Sequence, residues 1–219
     1  MKLHADFNER VVVQTHDLPW VPSPLPGAYR RLLDRDGEEV ARATSIVRYA
    51  KGSAFSPHTH GGGEEYLVLD GFFSDEHGDF GKGMYVRNPP GSSHTPSSRD
   101  GCTIFVKLRQ MDDADQSQIN VDTTGEQGWE KVEGSTIEVL PLHRYGGEVV
   151  RMIRMAPGTR LDHHDHPGGE EILVLEGGFE DEHGRYEEGH WIRNPPGSGH
   201  KVVSEKGCLL YVKTGHLSG

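Results

Sequence analysis

The chain reads as an all-β protein of two tandem barrels, and three observations predict this. Turn-forming residues are dense, with 29 Gly and 13 Pro among 219 residues and no short period, which points to many short strands joined by tight turns. No segment sustains the 3.6-residue apolar period that an amphipathic helix needs. Finally, residues 52–94 recur as residues 158–200, an offset of 106 (158 minus 52). A repeat this long is a whole domain, because solenoid units run about 20–50 residues. Domains 1–112 and 113–219 follow, each a barrel or jelly roll with turn signals between short strands.

Taken in order, residues 1–10 are polar and read as a leading arm. Val11, Val12 and Val13 form a short β-prone run, and Trp20 opens a segment punctuated by Pro22, Pro24 and Pro26. Strands are expected over 29–33 and 40–49, with Asp34-Arg35-Asp36-Gly37 as the turn between them. The next strand, 65–70, runs into Gly71, and Asp75-Glu76-His77-Gly78-Asp79 marks a hairpin turn. Residues 83–88 form a strand stopped by Pro89-Pro90-Gly91, and 102–108 closes the unit. Residues 110–118, Q-M-D-D-A-D-Q-S-Q, are polar and read as the boundary; a helix over 113–118 would be short. The pattern then restarts, with Asn120-Val121-Asp122-Thr123 echoing Val12-Val13-Gln14-Thr15 and Trp129 echoing Trp20.

Composition narrows the function. The formal charge of −11 argues against a nucleic-acid backbone or an anionic membrane as a direct partner, since both require clustered Lys and Arg. No apolar run reaches the length of a membrane span and the first residues lack an apolar signal core, so a cytoplasmic location is expected. The two cysteines, Cys102 and Cys208, occupy matching places in G-C-T-I-F-V-K and G-C-L-L-Y-V-K and read as small buried strand residues, not as a disulfide or a C-x-x-C site.

The chemistry lies in the repeated stretch. His58 and His60 are two apart and share one face of a strand. Glu64 joins that face once Gly61-Gly62-Gly63 turns the chain, and His94 joins if its strand pairs across a barrel. The second copy offers His164, His166, Glu170 and His200 at the same spacing. Glu65 and Glu171 point the other way by alternation and read as ion-pair partners, Arg87 and Arg193 being the nearest candidates; all four are alternates for a pocket role. Tyr66 shares the Glu64 face and is a candidate pocket wall, where the second copy has Ile172. His163, with Pro57 at the matching place, reads as solvated or as a neighbour of the ligands and not as a ligand, and His77 and His183 as exposed turn residues. No catalytic residue is singled out.

The spacing Gly52, His58, His60, Glu64, Gly71, followed by Gly83, Pro89, Gly91, His94, resembles the two motifs of the cupin superfamily, and both recur in the second half. That resemblance implies two tandem RmlC-like jelly-roll barrels. The runs H-x-H-x-G-G-E-E, R-N-P-P-G-S-x-H and G-C-x-x-x-V-K more narrowly resemble the cupin-like domain of the ChrR anti-sigma factor family, related to acetylacetone-cleaving dioxygenases. The cupin pattern usually ends on Asn four residues after its last His, where this chain has Ser98 and Ser204. The resemblance implies two divalent ions per chain, held by His58, His60, Glu64 and His94 and by His164, His166, Glu170 and His200. It further implies a stress-linked sensing, regulatory or small-molecule-binding role.

Three imidazoles and a carboxylate suit a borderline divalent ion, Zn, Fe(II), Mn, Ni or Cu, without choosing among them; the resemblance implies Zn. Four ligands closing a tetrahedron make a zinc sensing site. The same four around an octahedral ion leave room for O2 and a chelating diketone-like or aromatic substrate, which would make a dioxygenase. The helical H-x-x-x-C-x-x-C zinc motif of the anti-sigma domain is not in this sequence, so direct sigma-factor binding is not expected. A small-molecule ligand is expected, and a homodimer is left open.

Overall fold

Strand pairing divides the chain into two all-β units. The structure, a computed structural model, describes residues 1–217, so the last two residues of the expected 113–219 domain lie outside the described residues. One unit comprises Met1–Ala5 with Asp17–Gly125, the other Asp6–His16 with Glu126–Gly219. Among the described residues no helix is long and apolar enough to cross a membrane.

In the first unit the main sheet runs Lys2–Leu3, Ala28–Gly37, Ala41–Tyr49, Cys102–Leu108, Glu64–Asp75, Met84–Asn88, Ile119–Asp122. The long strand Glu64–Asp75 serves two layers. Its first half pairs with Met84–Asn88 and Cys102–Leu108, and its far half pairs with Gly78–Gly81. The register with Cys102–Leu108 skips Leu69, and such a bulge bends a strand enough to carry it from one layer to the next. Gly71 follows at φ +73, where a Cβ would stand 2.1 Å from the Gly101 carbonyl oxygen, so only glycine fits. Inside lie Val47, Tyr66, Val68, Phe73, Phe80, Val86, Ile104 and Val106, alternate residues of their strands. At about 1.5–3 kcal/mol per buried large apolar side chain, this interior is the main term holding the barrel shut.

The second unit repeats the plan: Glu130–Lys131, Ile137–Tyr145, Glu148–Met155, Cys208–Thr214, Glu170–Asp181, His190–Asn194, Val11–Gln14. Its long strand skips Leu175 in the same place, and Gly177 meets the Gly207 carbonyl as Gly71 meets Gly101. Ile172, Val174, Phe179, Tyr186, Ile192 and Val212 fill its interior.

The units are not the halves 1–112 and 113–219. Val11–Gln14, which opens the first repeat, pairs with His190–Asn194 of the second unit. Its sequence counterpart Ile119–Asp122, which opens the second repeat, stays with the first unit on Met84–Asn88. Registers match: Val13 faces Trp191 as Val121 faces Tyr85. Each repeat therefore lends its leading strand to the edge of the other barrel, which removes an unpaired edge from both sheets.

Local expectations changed in three places. Residues 34–37 are not a turn; they continue the strand Ala28–Gly37 against Ala41–Tyr49, and the chain reverses over 38–40 beyond Gly37 at φ +124. The leading arm contains a strand, Lys2–Leu3, paired with Arg35 and Asp36. Residues 113–118 form no helix. Asp112 instead caps a turn by accepting the Ala114 N–H on its carboxylate, and Asp115 is drawn to Arg87. Cys102 and Cys208 are buried free thiols, and burial pushes the Cys102 thiol up to about 11.

Candidate metal centres

Backbone pairing assembles the first site. His58 and His94 are direct register partners in the short ladder His58–Thr59 with Ser93–His94. This is the cross-barrel pairing that His94 required. The His60 carbonyl accepts the Gly91 N–H at 2.8 Å, and Gly63 at φ +75 reverses the chain so that Glu64 starts the next strand. The rings of His58, His60 and His94 stand 4.6–5.1 Å apart between centroids, with one ligand atom of each within 4.8 Å of the others. Glu64 Oε2 lies 3.6 Å from both His60 Nε2 and His94 Nε2.

The second site has the same plan. His164 pairs in register with His200, and the three ring centroids are 4.8–5.1 Å apart. Glu170 Oε2 is 3.3 Å from His166 Nε2 and 3.6 Å from His200 Nε2, and it also accepts the Asn194 amide at 3.1 Å. His60, His94, His166 and His200 are buried, whereas His58 is exposed and His164 partly so. Each cluster is thus reached from solvent on one side.

The donor set fits a metal ion. Atoms about 2.0–2.1 Å from one ion stand roughly 3–3.5 Å from each other, close to the separations found between Glu and His. In the first site His60 Nε2, His94 Nε2 and Glu64 Oε2 are buried without a hydrogen-bond partner, as is His166 Nε2 in the second. Buried polar atoms are otherwise nearly always satisfied, so these await a ligand. The opposite ring nitrogens are engaged. His58 Nδ1 faces the Ser56 carbonyl at 3.2 Å, His164 Nδ1 the Asp162 carbonyl at 3.0 Å, and His94 and His200 Nδ1 face Asp75 and Asp181 at 3.1 Å each. A proton held on Nδ1 leaves the Nε2 lone pair for an ion.

Electrostatics separate the histidines. Burial lowers the pKa of His60 and His166, aided by the neighbouring imidazoles, which keeps both in the neutral ligand form. Burial also pulls on His94 and His200, but the hydrogen bonds to Asp75 and Asp181 and the charges of Glu64 and Glu170 outweigh it and raise them. Burial would raise Asp181; His200, the His183 N–H, Tyr186 and Arg10 overcome that and hold it at about 2. Asp75 is lowered in the same way by His94 and the His77 N–H.

The remaining candidates are distributed over both faces of the sheets. Tyr66 is buried on the Glu64 face with an unpartnered hydroxyl, and burial, then Glu64 and Asp75, raise its pKa. Glu65 and Arg87 are register partners on the opposite face, joined at 2.9 Å, with Arg87 also 2.5 Å from Asp115. Glu171 faces away likewise, accepting from Trp191 at 2.8 Å and meeting His216 at 3.2 Å. Arg193 donates to the Asp6 carbonyl at 2.9 Å and lies over the Phe7 ring. These four side chains serve ion pairs and hydrogen bonds outside the His clusters. His77 and His183 are exposed, and His163 meets Asp165 at 3.1 Å. Ser98 and Ser204, in place of the usual Asn, donate to the Phe72 and Gly178 carbonyls at 2.7 Å each. Sequence reasoning missed Asp75 and Asp181 as orienting acids. Their signal was the D-E-H-G run repeated at one spacing, which reads as a turn alone.

Comparisons with known proteins agree with this picture. The family described as ChrR Cupin-like domain matches residues 8–112 and again 116–218. A candidate dioxygenase of Nostoc punctiforme superposes with a TM-score of 0.80 at 17% identity, over 97% of this chain and 85% of that one. YlbA of E. coli gives 0.72 at 14% identity, over 95% and 92%. A deletion variant of the Bacillus subtilis oxalate decarboxylase OxdC gives 0.61 at 13% identity, over 93% and 76%. At these identities the likeness establishes the fold, two tandem cupin barrels. No curated protein matched the sequence.

Proposed function

This chain belongs to the ChrR Cupin-like domain family, and on that premise we propose that each barrel binds one divalent ion and presents it to a small-molecule ligand. Zinc is the first choice of ion, for imidazole and carboxylate are both zinc ligands and the family resemblance implies zinc. His58, His60, Glu64 and His94 would hold the first ion, and His164, His166, Glu170 and His200 the second. The observation that carries this is the convergence of buried, unpartnered Nε2 and carboxylate atoms on one point in a barrel interior. A bound ion would supply Lewis acidity towards an oxygen donor of the ligand. The protein's own part is to hold His60 and His166 neutral, fix the tautomers of His94 and His200 through Asp75 and Asp181, and leave the His58 and His164 side open. The role that follows is stress-linked sensing or regulation in the cytoplasm, without direct contact to nucleic acid or to a sigma factor.

A second reading is supported by that same open side and by the likeness to a candidate dioxygenase over 97% of this chain. Here an Fe(II)-loaded protein would cleave a chelating diketone-like or aromatic compound with O2. Metal analysis of the purified protein, followed by O2 uptake with Fe(II) and a diketone panel, separates the two. Zinc at two per chain without O2 uptake is expected. Less than one ion per chain sinks both readings, and O2 uptake dependent on Fe(II) replaces the first by the second.

A further inference from the structure

The two barrels differ one tier in from their ligand carboxylates. In the second barrel Arg151, Val212, Ile172 and Ile192 are successive register partners across four strands. Facing partners in an antiparallel sheet share a side, and Val212, Ile172 and Ile192 all belong to the interior cluster. Arg151 therefore projects into the barrel, on the side from which Glu170, two residues before Ile172, faces the His cluster. In the first barrel the same tier is Ser45, Val106, Tyr66 and Val86.

Arg151 is unusually placed. The residue is half-buried, its Nε is buried without a hydrogen-bond partner, and among the described residues its guanidinium makes no hydrogen bond or ion pair within the protein. Burial lowers its pKa, the Arg144 charge adds to that, and the Glu170 charge opposes it. Glu170 is its electrostatic counterpart, yet no ion pair within 4.0 Å joins them. The Glu170 carboxylate is instead turned to His166, His200 and Asn194. A planar fork of donors without acceptors, separated from a carboxylate-and-imidazole cluster, lacks an oxyanion between them. Loading the cluster increases the need: a divalent ion with Glu170 and Arg151 leaves an excess of positive charge.

We infer that the second barrel takes a small carboxylate, one end clasped by Arg151 and the other directed to the ion of the second site. The first barrel, with Ser45 and Tyr66 in that tier, does not. Carboxylate is favoured because its two oxygens match the guanidinium fork bidentately. The inference rests on the metal reading above and deepens it by naming the ligand class of one site.

Oxalate titrated calorimetrically into the zinc-loaded full chain tests this, with zinc content measured on every sample. Wild type should bind one oxalate per chain. Arg151→Met should keep both ions and bind oxalate roughly 10- to 150-fold more weakly, the range expected for loss of a charge-assisted pair, and Arg151→Lys should recover part of the loss. His166→Ala should abolish the binding, whereas His60→Ala should leave it unchanged. Without oxalate, Arg151→Met should melt at or above the wild-type temperature, because it removes a half-buried cation whose Nε has no hydrogen-bond partner. Unchanged oxalate affinity in a fully loaded Arg151→Met, a lowered ligand-free melting temperature, or phosphate binding in place of oxalate would each overturn the inference while leaving the metal reading standing. A wild-type chain without second-site zinc sinks both.

Discussion

The two barrels keep the same ligand-type residues at the same spacing and fill the space around them differently. Tyr66 with Ser45 two strands away in one becomes Ile172 with Arg151 two strands away in the other, a large side chain moving two strands across the sheet. Tyr49 likewise gives way to Met155. Close packing explains the pairing of changes, since enlarging one wall of a filled barrel requires shrinking the wall opposite. The same holds outside the barrels. Arg87 is joined to Asp115, while Arg193 lies 4.7 Å from the Phe7 ring centroid, and Asp115 and Phe7 occupy matching places before the exchanged strands. An ion pair in one unit is a cation–π contact in the other. What persists is the backbone that aims the donors; what varies is the chemistry of the walls.

The strongest test of that equivalence is ligand deletion. His60→Ala and His166→Ala should each lose one ion by metal analysis, with the other retained; loss of both from either variant would mean that the sites are coupled. Next come the orienting acids. Asp75→Asn and Asp181→Asn should each weaken zinc at their own site by about 10- to 100-fold in chelator competition. Asp181→Asn should also lower the melting temperature more, because its carboxylate additionally accepts the Tyr186 hydroxyl and faces Arg10 at 3.5 Å.

The arginine supports should differ in denaturant titrations. Asp115→Ala breaks a buried ion pair and should cost about 3 kcal/mol, the low end of the usual range because Glu65 still faces Arg87. Phe7→Ala should cost less, about 2 kcal/mol, from a desolvated cation–π contact. Equal costs would deny the contrast. The smallest effect is on pH dependence. Asp181 has a folded pKa of about 2 against 3.8, so the stability it contributes is present above 3.8 and lost as pH falls towards 2. Metal-free protein should therefore weaken over that interval, and Asp181→Asn should flatten the fall.

Much of the site was legible beforehand. Strand alternation put His58 and His60 on one face and Glu65 on the other, and the structure agrees, with Glu65 on Arg87 and Glu64 beside the histidines. Residues 34–37 misled because Asp and Gly signal turns locally, while the ladder to Ala41–Tyr49 holds them extended. Residues 113–118 misled because the polar run concealed Asp115, whose charge is taken up by a residue 28 positions earlier. Arg151 carried no signal, since nothing in V-V-R-M-I-R-M tells an inward arginine from an outward one until the neighbouring strands are paired.

The sequence by itself determined the duplication, the all-β class, the cupin motifs and the ligand-type residues. These depend on short-range rules: period two along a strand, glycine where φ is positive, proline where a ladder stops. The tertiary structure alone decided which barrel each leading strand completes, which acid orients each inner histidine, and that one barrel turns an arginine inward in the tier where the other has a serine and a phenol. Those features depend on which strand lies beside which, and pairing between distant segments is set by the burial of whole faces, not by the residues of any one segment.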